Sequence, residues 1–165
     1  MIRWLLSALL IPASVGAQEF EIKSGGSLPP DPEVLILVRR YTPLLMSWTS
    51  PADRDEKRRP MVVPEYFYQG TDGSAIGYDG LTARHTRNDL RILDRKFSDA
   101  ILFQYENTAV LTYKDRSRGW DKGKPFQGYG SNAIVMTRTA QGWRVVADIV
   151  GADPPEPQQT DQSKK

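Results

Sequence analysis

The chain has 165 residues, a formal net charge of +2 and no cysteine. That length suits a single hydrophobic core, and 39% hydrophobic with 25% charged residues is the make-up of an ordinary soluble protein. So small a charge excess argues against a nucleic-acid partner, and the lack of cysteine excludes a disulfide scaffold and a lipid anchor at a cleavage site.

In residues 1–17, MIRWLLSALLIPASVGA, Arg3 precedes an apolar run from Trp4 to Ile11, and small residues follow at Val15 and Ala17. This is the order of a secretory signal peptide cleaved after Ala17. The apolar run is short for a bilayer span, so no stable membrane anchor is expected after cleavage. Export without disulfides points to a periplasmic or secreted protein. Residues 18–32, rich in Gly, Ser and Pro, read as a linker, and residues 153–165 as a disordered polar tail with nothing to bury. One domain is expected between them, over residues 33–152.

Asp31-Pro32-Glu33 sets a capping carboxylate ahead of a proline at the first helical position, and Val34, Leu35, Val38, Tyr41, Leu45 and Trp48 recur at helical spacing. A first helix is predicted there, strained by Pro43. The charged run 52–59, ADRDEKRR, reads as a short solvated helix that stops before Pro60. In residues 62–80, VVPEYFYQGTDGSAIGYDG, alternating bulky residues run into a Thr71-Asp72-Gly73 turn, a strand and hairpin signal. A third helix is predicted over 82–92, entered through Asp79 and Gly80. Strands follow over 97–106, 109–114, 128–139 and 143–150, with short hairpin links at 107–108 and 140–142. Helices first and strands afterwards predict an α+β domain, its helices on one face of a strongly curved antiparallel sheet.

Asp79-Gly80 opening a helix after a hairpin, and Gly142-Trp143-Arg144-Val145-Val146 after an Arg-containing strand, resemble the NTF2-like superfamily over residues 33–150. The resemblance is to its SnoaL-like and DUF4440-type bacterial members in particular. It implies a cone, in which N-terminal helices close one side of the sheet over a pocket, and it implies a homodimer. Binding modules, assembly domains and enzymes all use this fold, so the fold does not choose the function. Within the superfamily's ketosteroid isomerase branch, the first helix carries a tyrosine that donates to an oxyanion, and Arg39-Arg40-Tyr41 is similar to that context. The acidic partner's position falls near Ala133 or Ile134, and neither can donate a hydrogen bond from its side chain. Asp72 and Asp79, the base candidates, sit beside glycines in stretches that read as turns.

His85 is the one histidine of the chain, which removes a multi-histidine metal site. Beside Arg84, Arg87 and Asn88 it reads as solvated or capping. Residues 68–80 lack the pattern of a phosphate loop or a calcium loop, so neither a metal nor a cofactor is expected. Residues 114–126, KDRSRGWDKGKPF, read as the solvated tip of a long hairpin. Ligand-binding candidates come from the aromatics: Tyr41 and Trp48 on one face of the first helix, Tyr66 and Tyr68 on one face of the first strand, and Tyr113 and Tyr129 from later strands. Core packing is the other reading of these rings, but their polar tips suit a ligand cavity. Asp148 joins them. On a regular final strand it shares a face with Arg144 and Val146, and such charges suit a wet cavity or the outside of the sheet. The expected function is an exported protein that binds a small, partly apolar molecule. The alternatives are isomerase-like proton transfer, with Tyr41 polarising a carbonyl and Asp148 or Asp72 moving a proton, and a dimerisation or assembly module without ligand.

Overall fold

The computed structural model describes residues 20–26, 29–46, 51–87, 90–121 and 123–153. The expected signal peptide, Trp48 and the expected tail beyond Asp153 lie outside the described residues.

Asp31 caps helix α1 (Pro32–Met46), its Oδ1 accepting the Glu33 amide at 2.9 Å. Val34, Leu37, Val38 and Tyr41 form the buried stripe that the 3.6-residue period requires. The helix continues through Pro43 to Met46. Helix α2 (Pro51–Arg58) and a 3-10 turn (Arg59–Met61) lead into strand β2 (Val62–Gln69), which forms the expected hairpin with β3 (Ala75–Gly77). The solvated reading of α2 is corrected by its burial: Arg54 and Arg58 are 4% and 2% exposed. Its sequence, PADRDEKR, has no apolar stripe, so the face that α2 turns inward is a charged one.

Helix α3 spans Tyr78–Thr86, and β4 (Leu90–Tyr105) has already begun where that helix was predicted to continue. The reason is tertiary: residues from Leu90 onward pair with β5 (Thr108–Asp121), starting at Leu90↔Asp121, and pairing overrides local spacing. β5 and β6 (Lys124–Thr139) likewise extend beyond their predicted ends as one long hairpin, turning at Gly123 with φ 77°. β7 (Gly142–Val150) closes the order of elements.

The sheet order is β1-β4-β5-β6-β7-β2-β3, where β1 (Ile22–Ser24) comes from the stretch read as a linker. The domain is α+β as expected, but the sheet is corrected in two respects. It is mixed, because β1 runs parallel to β4 and β2 parallel to β7. It is also not strongly curled: the three-residue edge strands β1 and β3 stand at opposite ends of the order and do not close on each other. The helices cover one face, and the core lies between the α1 stripe and Leu102, Leu111, Ile134, Met136 and Val145.

A bulge in β7 sets the position of Asp148. Met136 pairs with Val145 and Val135 with Ala147, so Val146 is left over. Beyond the bulge, Ile134 pairs with Asp148. Ile134 and Met136 share a face of β6, so Asp148 shares its face with Val145, and the expected partnership with Arg144 and Val146 is lost. Beside this strand the chain leaves the sheet through a close approach at Gly130, where an added Cβ would lie 2.3 Å from the Gly151 carbonyl oxygen.

Candidate functional site

Strand pairing maps the covered face of the sheet row by row. Tyr68, Asp148, Ile134 and Leu111 are register neighbours across β2, β7, β6 and β5. The next row places Val150, Asn132 and Tyr113 together, and the one after it sets Gly130 against Asp115. In the first row Ile134 and Leu111 are core, while Tyr68, Asp148 and the later rows border a cavity of about 380 Å³ between the helices and the sheet. Glycines at 128 and 130 keep this part of the floor free of side chains. Leu44, Leu45, Leu81, Ile92, Phe126 and Val150 supply an apolar side, and Arg54, Arg58, Arg95, His85, Asp115, Asn132 and Asp148 a polar one. Such a mix at this size suits a small ligand.

At the inner end, one oxygen of Asp148 gathers three donors. The hydroxyls of Tyr41 and Tyr66 each donate to its Oδ2 at 2.7 Å, and Arg58 Nη2 donates at 3.0 Å. The same guanidinium nitrogen lies 2.6 Å from the Tyr41 oxygen and 3.1 Å from that of Tyr66. Arg58 also sits against the rings of Tyr41, Tyr66 and Tyr78, at 5.1, 5.9 and 5.7 Å from their centroids. Burial, and then the Asp148 charge, raise both the Tyr41 and the Tyr66 hydroxyl above the ordinary tyrosine value, so both remain donors. Burial opposes the Arg58 charge, yet the oxygens of Tyr41, Asp148 and Tyr66 outweigh it and raise the guanidinium further.

A second ion pair stands on the neighbouring strands, where Arg95 Nε and Nη2 both reach Asp115 Oδ2. Arg95 Nη1 also donates to the Leu45 carbonyl at 3.2 Å, tying β4 to the end of α1. The outer oxygens behave differently. Asp148 Oδ1, Asp115 Oδ1 and both polar side-chain atoms of Asn132 are buried with no hydrogen-bond partner among the described residues. Buried polar atoms are nearly always satisfied, by protein groups or by water, and the three residues that carry these four line the cavity.

The architecture that presents this cavity is shared with solved structures. The chain superposes on an NTF2-like protein from Cytophaga hutchinsonii with a TM-score of 0.61 at 12% identity, covering 73% of this chain and 95% of that one. An NTF2-like protein of unknown function in nutrient uptake from Rhodospirillum rubrum gives 0.61 at 16% identity, over 71% and 98%. The chain adopts the NTF2-like fold. A third structure of that fold, from Novosphingobium aromaticivorans, gives 0.53 at 18% identity over 73% and 79%. No family model and no curated protein sequence matches the chain.

Within this NTF2-like frame the sequence candidates divide. Tyr41, Tyr66 and Asp148 meet in one cluster, but only Asp148 of the three borders the cavity. With its hydroxyl held between Asp148 and Arg58, Tyr41 is not placed to polarise a substrate carbonyl. Tyr68 lines the cavity directly. Tyr113 is buried and stacks on Phe97, ring centroids 4.4 Å apart. Tyr129 borders the cavity, but its hydroxyl is engaged by Arg116 and Gln127 on the other face of the sheet. Asp72 is exposed, its carboxylate bonded to the Ser74 amide and hydroxyl in the hairpin turn. The residues that sequence reasoning passed over are Arg54, Arg58, Arg95, Asp115 and Asn132. One signal was available: Arg54 and Arg58 are four apart and therefore share a helix face.

Of the two readings of His85, solvated or capping, the first is corrected: it is 9% exposed in the cavity wall. Burial, followed by the charges of Arg54, Arg58, Arg84 and Arg95, lowers its pKa from 6.5 to about 3. Below pH 6.5 the unfolded chain therefore takes up a proton that the folded chain refuses. Stability should fall as the pH drops from 6.5 towards 3, by at most about 1.4 kcal/mol per pH unit. Urea midpoints of the wild type and His85→Gln across that range check this. The variant should show the shallower decline, and parallel curves would mean that His85 titrates alike in both states.

Proposed function

We propose that this is an exported protein that binds a small, partly apolar molecule in the cavity between helices and sheet. The observation that carries this reading is the set of buried, unsatisfied polar atoms on Asn132, Asp115 and Asp148, facing a cavity whose other side is apolar. A molecule with polar groups on one side and a hydrocarbon surface on the other would satisfy both walls. Export rests on the signal-peptide order of residues 1–17. A SnoaL-like, homodimeric character rests on the resemblance of the Gly142–Val146 stretch.

Asn132 offers the test, because a ligand-binding group and a structural one respond oppositely to the same change. Asn132→Leu keeps the volume and removes two buried polar atoms that no group among the described residues satisfies, so stability should rise by about 1 to 3 kcal/mol. Binding should be lost at the same time. Native mass spectrometry of protein from its own host should show a chain starting at Gln18 with a bound adduct of constant mass, absent from the variant. A destabilised variant, or one that keeps the adduct, would remove Asn132 from the binding site and with it the basis of the reading.

A further inference from the structure

The cavity is balanced in charge. Among the described residues of its lining, each guanidinium stands with a carboxylate: Arg54 with Asp55 at 3.9 Å, Arg58 with Asp148 at 3.0 Å, and Arg95 with Asp115. His85 in the same wall is neutral at pH 7, its pKa lying at about 3. A ligand that carried a full charge into this wall would upset pairs already made, and a buried charge without its own counter-ion is costly, so a neutral molecule is favoured.

What the wall offers instead is hydrogen bonding along the sheet. Ile134 pairs with Asp148, Asn132 with Tyr113, and Gly130 with Asp115. Asp148, Asn132 and Asp115 therefore step down one row at a time across β7, β6 and β5, on a diagonal whose steps are roughly 7 to 8 Å. All three side chains are buried in the cavity wall. Ion pairing uses Oδ2 of each aspartate and leaves Oδ1 as an acceptor, while Asn132 between them presents an acceptor and a donor group. A single amide or ammonium group cannot span a line of that length. Several hydroxyls on one frame can, and each of them both donates and accepts.

We infer that the cavity takes a neutral polyhydroxylated molecule with a hydrocarbon part, its hydroxyls along the diagonal of Asp148, Asn132 and Asp115 and its hydrocarbon against Leu44, Leu45 and Leu81. This inference rests on the ligand-binding reading above and names the class of ligand. Hydroxyls at the two ends donate to Asp148 Oδ1 and Asp115 Oδ1, and those between them exchange hydrogen bonds with Asn132. A carboxylate in the same place has no hydrogen to give and meets two like charges.

Four probes with the same six-carbon chain separate hydroxyls from charge: hexyl β-glucoside, hexan-1-ol, hexyl β-glucuronide and hexylammonium, each titrated by calorimetry at pH 7. The glucoside should bind the wild-type protein at least tenfold more tightly than each of the other three. Asn132→Leu should bring the glucoside down to the level of hexanol. Hexanol binding as tightly as the glucoside would mean that water meets the diagonal, and it would overturn the polyol head. A glucuronide or an ammonium that binds as tightly would overturn it too, because the paired charges would then select nothing. Either result leaves a ligand cavity in place. Undiminished glucoside affinity in Asn132→Leu would take the diagonal out of the site, and the wild-type series decides even if that variant fails to fold. If none of the four binds, the inference falls, and the Asn132→Leu adduct experiment then tells whether the cavity reading falls with it.

Discussion

Asp148→Asn is expected to destabilise the protein by about 3 to 5 kcal/mol, the cost of breaking a buried ion pair from one side. A residue that only oriented a ligand at a pocket rim would lose little on this change, because asparagine keeps the shape. The structure predicts otherwise. Asp148 is 5% exposed, and its Oδ2 is the common acceptor for Tyr41, Tyr66 and Arg58. Removing its charge leaves the Arg58 guanidinium buried among three tyrosine rings without its counter-ion. Urea denaturation of the variant measures the loss. A double replacement, Arg58→Met with Asp148→Leu, should recover much of it, since well-packed apolar side chains often match or exceed a buried pair in stability. A wild-type midpoint for Asp148→Asn would mean that the pair does not carry the burial assigned to it.

Trp143→Ala should cost a comparable amount, about 3 to 5 kcal/mol, because it removes the largest side chain at the start of the last strand and leaves a cavity behind. Trp143 is 3% exposed and follows Gly142, whose φ of 92° makes the hairpin turn. Its indole Nε1 donates to Asp31 Oδ2 at 3.2 Å, while the other oxygen of the same carboxylate caps α1. These bonds, first that from the Glu33 amide and then that from Trp143, hold the Asp31 carboxyl below its ordinary value. One aspartate thereby fixes the beginning of the first helix to the beginning of the last strand. Trp143→Phe retains most of the ring and loses the hydrogen bond, so its urea midpoint should fall between those of the wild type and the alanine variant. An alanine variant with unchanged midpoint and slope would refute the packing of that strand.

The amino-acid sequence by itself determined the parts whose causes are local. A cap at Asp31 followed by the Val34, Val38, Tyr41 stripe defines α1, and the glycine-containing turns at 70–74 and 140–142 define two hairpins. Such features need only neighbours within a few residues, so composition and spacing report them. The α+β class follows from their order.

What the tertiary structure decided is the site. The run ADRDEKRR reads as solvated because seven of its eight residues are charged and it has no apolar stripe to bury. The compensation for Arg58 comes from Asp148, 90 residues away, and that for Arg95 from Asp115 on the paired strand. Whether a guanidinium is inside or outside depends on a counter-charge that arrives only when the sheet is assembled. Asp148 shows the same dependence through geometry. Side chains alternate along a strand, so the single extra residue at Val146 moves Asp148 to the opposite face, and that bulge is fixed by pairing with β6. Local spacing sets the elements, but the register between them chooses which charges meet, and that choice makes this cavity polar.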